Sequence, residues 1–90
     1  MQSETFGDGT PSGSGEYVEG KKSGQWTFYY RSGAVKAEGS YLDDQMHGPW
    51  VWHREDGSLM RTGSFNRGVQ SGLWATFGRD DSLIKTTDFH

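Results

Sequence analysis

The stretch GQWTFYYRSGAVKAEGSY, residues 24–41, contains the pattern that decides the fold. Its first part is rich in Trp, Phe, Tyr and Thr, whose bulky or branched side chains favour extended strands. Arg31, Ser32 and Gly33 follow and are typical of a turn. In the second part Val35, Ala37, Gly39 and Tyr41 alternate with other residues, so their side chains share one face of a strand. The stretch therefore predicts a β-hairpin.

The same pattern recurs along the chain with a period of 24 residues. Trp26, Trp50 and Trp74 are each preceded two residues earlier by a glycine. A second aromatic series has the same spacing and consists of Tyr17, Tyr41, Phe65 and Phe89. A fixed period of this length indicates a repeat architecture. We divide the chain into a half-unit at residues 15–23 and repeats at residues 24–47, 48–71 and 72–90.

Each repeat predicts an outgoing strand, a turn and a return strand. The outgoing strands cover residues 25–30, 49–53 and 73–77, and the return strands cover residues 34–41, 58–65 and 82–89. Polar segments at residues 19–23, 42–47 and 66–71 are short enough to join antiparallel neighbours. The prediction is an all-β protein, an open, elongated, single-layer antiparallel sheet of up to seven strands without a helix.

The repeated glycines have a predicted structural role. If Ser32 and Gly33 form a two-residue turn, Trp26 lies opposite Gly39, and Asp56-Gly57 places Trp50 opposite Gly63 in the same way. A glycine in a strand leaves room for an indole ring to lie over the backbone. The predicted structural glycines are Gly24, Gly39, Gly48, Gly63 and Gly72.

Composition restricts the class of protein further. Ninety residues suffice for one domain, of which 31% are hydrophobic and 14% aromatic. Residues 1–14, rich in Gly and Ser, are predicted to be a flexible leader before the repeat domain of residues 15–90. The net charge of −3 disfavours nucleic acid as a partner. Without cysteine, a basic leader or a long apolar run, the chain is expected in the cytoplasm, and no membrane contact is expected.

The sequence does not predict an enzyme. The acidic pairs Asp43-Asp44, Glu55-Asp56 and Asp80-Asp81 all lie in predicted turns, where carboxylates are mostly hydrated and lack the burial or partner charge that catalysis needs. His47, His53 and His90 lack the spacing of a metal site. We therefore expect no catalytic residues, no metal and no cofactor.

The aromatic side chains are the candidate binding surface. A single-layer sheet has no second layer to cover every ring, and exposed apolar patches usually mark contacts. The predicted binding face consists of Trp26, Phe28, Tyr30, Tyr41, Trp50, Trp52, Phe65 and Trp74. The three repeated tryptophans are also expected to stabilise the sheet as a ladder. Edge strands around residues 16–18 and 83–89 predict a weak homodimer.

Two further patterns resemble a known family. Gly24-x-Trp26-x-x-Tyr29-x-x-x-Gly33 and Gly63-x-Phe65-x-x-Gly68-x-x-x-Gly72-x-Trp74 are similar to the MORN repeat, in the variant found in YwqK-type antitoxin proteins. The resemblance covers residues 15–89. Asp44, Asp81 and Thr87 depart from it, because each stands where the pattern has glycine.

The resemblance implies an extended sheet of β-hairpins with an aromatic concave face. It implies a non-enzymatic module for protein interaction or scaffolding and, for the YwqK type, neutralisation of a toxin. Two alternatives remain open. The same aromatic spacing occurs in modules that bind carbohydrate or choline, whose ligands stack on or between rings. The chain could also be a unit that extends a longer repeat array.

Overall fold

A computed structural model describes residues 2–89 of the chain. They form nine strands: β1 (Gln2–Thr5), β2 (Pro11–Val18), β3 (Lys21–Tyr29), β4 (Val35–Leu42), β5 (Gln45–Met46), β6 (Gly48–His53), β7 (Leu59–Asn66), β8 (Val69–Phe77) and β9 (Leu83–Phe89). Within this range there is no helix. The prediction of an all-β fold is confirmed.

All nine strands belong to one open antiparallel sheet. Its order is β1-β2-β3-β4-β6-β7-β8-β9, and the short β5 pairs with β4. Every neighbour in this order pairs antiparallel. The sheet measures 36 × 31 × 16 Å. Its two edges are β1 and β9, so the prediction that the first edge lies at residues 16–18 is wrong.

The hairpin loops at one end of the sheet have three residues rather than the two from which the register was predicted. Between β3 and β4 the Tyr30 N–H donates to Ala34 O, the Gly33 N–H donates to Tyr30 O, and Gly33 has φ of 95°. This is a three-residue loop that ends in a left-handed residue, a common hairpin form. The corresponding bonds close the loops at residues 6–10, 54–58 and 78–82.

The predicted register is nevertheless correct. Trp26 pairs with Gly39 and Trp50 pairs with Gly63. A register shift between Phe28 and Tyr29 makes up for the extra loop residue. The prediction of two-residue turns at these positions was wrong, but the bulge leaves the rest of the pairing unchanged.

Two-residue turns lie instead at the other end of the sheet. The residues at their centres are Glu19-Gly20, Asp43-Asp44 and Arg67-Gly68, and both residues of each turn have positive φ. Such turns match the right-handed twist of the strands they join. The predicted polar connections were therefore too long, because most of their residues belong to the flanking strands β3, β4, β5, β7 and β8.

The boundary predicted at residue 14 is also wrong. Residues 2–14 include β1 and the first part of β2, and Gln2 pairs with Gly15. The Tyr17 hydroxyl donates to Glu4 Oε2 at 2.9 Å. Gly9 at φ of 89° occupies the loop position that Gly33 and Gly57 hold later. The glycines of this segment thus form a turn and a strand rather than a flexible leader.

Three loop aspartates make the stability of the sheet depend on pH. Asp8, Asp56 and Asp80 each accept bonds from the hydroxyl and the backbone N–H two residues later. These hydrogen bonds, the hydroxyl bond first, hold the pKa of each carboxyl below 3.8. Because the folded pKa is depressed, the stabilisation is complete above pH 3.8 and is lost as the pH falls through the folded value.

We therefore expect the triple variant Asp8→Asn/Asp56→Asn/Asp80→Asn to lose less thermal stability on acidification than the parent chain. Asparagine keeps an oxygen acceptor but does not titrate. The measurement is the difference in Tm between pH about 7 and pH about 2.5 for both proteins. The other carboxyl groups are present in both proteins, so their contribution to the loss of Tm cancels in the comparison. An equal loss of Tm in the two proteins would contradict this role of the loops.

Candidate functional site: the aromatic face of the sheet

One face of the sheet carries a continuous row of stacked rings. We call Trp26, Phe28, Trp50, Trp52 and Trp74 the stacked row. Neighbouring ring centroids along it lie 5.8, 6.1, 5.8 and 5.3 Å apart, and the ring planes differ by 22–31°. Side chains two residues apart on a strand point to the same face, which places both rings of β3 and both rings of β6 in this row.

A second row of rings meets the first edge-on. We call Tyr17, Tyr41, Phe65 and Phe89 the edge row. Each of these rings contacts a tryptophan at 5.1–6.3 Å between centroids, with interplanar angles of 78–89°. This T-shaped arrangement is one that aromatic pairs favour. The two rows together form the aromatic face.

The three repeated tryptophans are structural. Trp26, Trp50 and Trp74 are 0%, 1% and 5% exposed. A Cβ built on Gly15, Gly39 or Gly63 would overlap the ring of Trp26, Trp50 or Trp74, respectively. Each indole N–H also donates to a backbone carbonyl on the neighbouring strand at 3.0–3.1 Å. These rings stabilise the sheet and leave almost no area for a ligand.

The structure corrects which tryptophan lies over which glycine. Trp26 pairs with Gly39, as predicted, but its ring lies over Gly15 on the other neighbouring strand. Trp50 is the ring over Gly39, and Trp74 is the ring over Gly63. The predicted need for space at these two glycines is correct, and the predicted occupant is wrong.

The glycines before each tryptophan have a different role. Gly24, Gly48 and Gly72 have φ of 71°, 85° and 70° and no atom near a built Cβ. They lie where the regular pairing of β3, β6 and β8 with the preceding strand is interrupted. A left-handed glycine is typical of such a bulge. We infer that the bulge directs the following indole over the neighbouring backbone.

The accessible part of the aromatic face lies between the buried tryptophans. Phe28, Tyr41, Trp52 and Phe65 are half-buried. A cavity of about 310 Å³ opens over the middle of this face. It is lined by Phe28, Ala37, Tyr41, Met46, Trp50 and Trp52, together with Phe6, Ser12, Tyr29 and Lys36. Burial raises the pKa of the Tyr41 hydroxyl, which therefore stays protonated at neutral pH.

Two cations already lie on the aromatic face. Lys22 Nζ is 5.3–5.8 Å from the ring centroids of Tyr17, Trp26 and Tyr41 and 3.4 Å from Glu4 Oε2. Burial, the largest single influence, acts to lower the pKa of Lys22, but Glu4 together with Tyr17 and Tyr41 raises the pKa by more. The guanidinium of Arg61 lies 4.9 Å from Trp52 and 5.7 Å from Trp74. Cations are attracted to ring faces at these distances.

Seven of the eight predicted binding residues belong to the aromatic face, and Tyr30 does not. The Tyr30 hydroxyl donates to His53 O at 2.8 Å and thereby ties two neighbouring loops together. The prediction missed Arg61 and Ala37, because the 24-residue series through them, Gly13, Ala37, Arg61 and Lys85, contains no common residue type. Tyr17 and Phe89 belonged to the repeated aromatic series and could have been included.

Little else in the described part of the chain suggests chemistry. Residues 2–89 contain no group of three or more His, Asp or Glu side chains that could hold a metal ion. The ring of His47 accepts the Arg67 N–H at 3.1 Å and so joins two adjacent turns. Over the same range the structure has no helix long and apolar enough to cross a membrane.

Comparison with known proteins gives no relative for this chain. No family model matches it, and neither the curated proteins nor the solved structures include a significant match. A functional proposal must therefore rest on the geometry of the aromatic face.

Proposed function

We propose that the protein is a MORN-like β-hairpin repeat module that binds a protein partner through the aromatic face and catalyses no reaction. The observation that carries this proposal is the half-buried state of Phe28, Tyr41 and Trp52 around an open cavity. Aromatic side chains in an apolar patch with a polar surround are enriched at protein interfaces.

The two faces of β6 support this assignment by their contrast. Trp50 and Trp52 lie on the aromatic face, where they are in ring contact with each other. Val51 lies on the opposite face between Glu38 and Thr62, its paired residues on β4 and β7. We expect a protein partner to bind the aromatic face rather than the opposite face, because aromatic rings provide large contact areas at low cost in side-chain entropy. The resemblance to antitoxin proteins suggests a toxin as one such partner.

Photo-crosslinking from the two faces tests the proposal. Benzoylphenylalanine at position 52 should crosslink a partner protein, and the same group at position 51 should not. Because both positions are half-buried and adjacent on β6, they form a matched pair. The partner so obtained should bind Trp52→Ala at least about tenfold more weakly than Val51→Ala, as expected for loss of a central aromatic contact.

Carbohydrate or choline binding is the alternative outcome of the same study. Titration of oligosaccharides and of choline, followed by tryptophan fluorescence, would detect it. Saturable binding of either ligand that is lost in Trp52→Ala, with equal crosslinking from positions 51 and 52, would overturn the protein-interaction proposal. Failure to crosslink selectively from position 52 would do so as well.

A further inference from the structure

The contact of Arg61 shows which side-chain chemistry the aromatic face holds. Arg61 pairs with Trp52 on β6 and with Thr76 on β8, so it lies on the aromatic face. Its guanidinium is 4.9 Å from Trp52 and 5.7 Å from Trp74. Within residues 2–89 no carboxylate forms an ion pair with it. Arg61 is exposed, and within this range its guanidinium meets ring faces and no carboxylate.

The position 24 residues earlier is Ala37, which has no long side chain to lie over the neighbouring rings. Ala37 pairs with Phe28 on β3 and with Trp52 on β6, as Arg61 pairs with Trp52 and Thr76. The rings that correspond to Trp52 and Trp74 are Phe28 and Trp50, and they are stacked 6.1 Å apart. The cavity of about 310 Å³ is lined by these same residues. Ala37 is 4% and Trp50 1% exposed, so the accessible rings of the cavity are the half-buried Phe28 and Trp52.

We propose that this cavity binds an arginine side chain of a partner protein, with its guanidinium against Phe28 and Trp52, the two half-buried rings that line it. The inference rests on the proposed function and specifies the chemistry of the partner. Phe28 corresponds to the Trp52 ring beside Arg61, and Trp52 stands where Thr76 stands in that repeat. The arrangement around Arg61 thus serves as an internal template for the bound state.

Charge makes the proposed site sensitive to one neighbouring residue. Lys36 lines the cavity, is exposed, and has its Nζ 5.8 Å from the ring centroid of Tyr30. No carboxylate is among the lining residues. The attraction comes from ring faces, and Lys36 opposes it across solvent. Replacing Lys36 by glutamine should strengthen the binding of a cation and leave the binding of a neutral analogue unchanged.

The test compares two small probes that differ in charge. N-acetyl-arginine methylamide and its neutral citrulline analogue are titrated into the protein, and indole N–H signals are followed by NMR. The arginine probe should shift the signal of Trp52, leave that of Trp26 in place, and bind about fivefold more tightly than the citrulline probe, the factor expected for one exposed cation–ring contact. Lys36→Gln should increase this preference.

Two variants locate the site. Ala37→Arg should abolish binding of the arginine probe, because its own side chain fills the cavity. Arg61→Ala should create a second site reported by the Trp74 signal, and this gain of binding does not depend on Ala37→Arg folding. Equal affinity for the two probes, or no second site in Arg61→Ala, would overturn the inference.

The outcomes separate this inference from the proposed function. A partner that crosslinks from position 52, together with equal affinity for the arginine and citrulline probes, would refute the arginine site and leave the protein-interaction module intact. Preference for the arginine probe without selective crosslinking would refute the module and establish a guanidinium site alone.

Discussion

Replacing Trp50 by alanine should destabilise the protein by about 3–5 kcal/mol, the range for truncating a buried aromatic side chain. Trp50 is 1% exposed and lies at the centre of the stacked row. Its ring contacts Phe28 and Trp52 in the stacked row and Tyr41 and Phe65 in the edge row. Alanine removes all four ring contacts and the hydrogen bond from Nε1 to Ser40 O.

An effect of this size is large for so small a protein. At about 0.05–0.15 kcal/mol per residue, a chain of this length has a free energy of unfolding of about 5–13 kcal/mol. Urea denaturation followed by circular dichroism measures the loss. Trp52→Ala is the matched control, because Trp52 lies two residues away on the same face and is only half-buried. A loss no larger for Trp50→Ala than for Trp52→Ala would contradict the structural role of the repeated tryptophans.

The sequence predicts the sheet well because its information is local and repeated. Strand-forming aromatics alternate with turn residues at a constant spacing, and this suffices for the antiparallel order and for pairs such as Trp26 with Gly39. A one-residue change in register would move every ring to the other face, so the aromatic pattern restricts the pairing strongly. Loop length was wrong because a bulge compensates for one extra residue without any clear sequence signal.

The extent of the sheet was harder to predict. Residues 2–14 contain many small and polar residues, and composition alone favours disorder for such a segment. Their pairing depends instead on contacts with the rest of the sheet. Phe28 packs close to Gly13, and Tyr17 bonds Glu4. Gly9 lies 24 residues before Gly33 and continues that glycine series backwards, which is the signal that composition obscured.

The accessible site was predictable only in its aromatic part. Rings repeat, so the stacked row follows from the sequence period. The cavity arises where the series breaks, because Ala37 stands in the place that Arg61 holds one repeat later. A pattern search finds the residues that repeat units share. This site depends instead on a residue that differs between two units, Ala37 in one and Arg61 in the next.

Which ring lies over a strand glycine depends on three-dimensional geometry. Gly39 has neighbours on both sides, Trp26 on β3 and Trp50 on β6, and sequence pairing inside one hairpin favours the first. In the structure the left-handed Gly48 precedes Trp50, and the Trp50 ring lies over Gly39 with its Nε1 bonded to Ser40 O. If the Trp26 ring lay over Gly39, a larger side chain at position 39 would displace Trp26. With the Trp50 ring over Gly39, the same side chain would displace Trp50.

Gly39→Ala should therefore displace Trp50 and destabilise the protein by about 3 kcal/mol, the upper part of the usual range for overpacking. A Cβ at this position overlaps the Trp50 ring, and backbone on both sides prevents the strand from moving away. The indole N–H signal of Trp50 should lose the protection that its bond to Ser40 O provides, while that of Trp26, bonded to Glu16 O, should keep it. Gly7→Ala is the control, because a Cβ there meets no atom within 4 Å. Loss of protection at Trp26 instead of Trp50 would show that the ring over Gly39 comes from within the same hairpin.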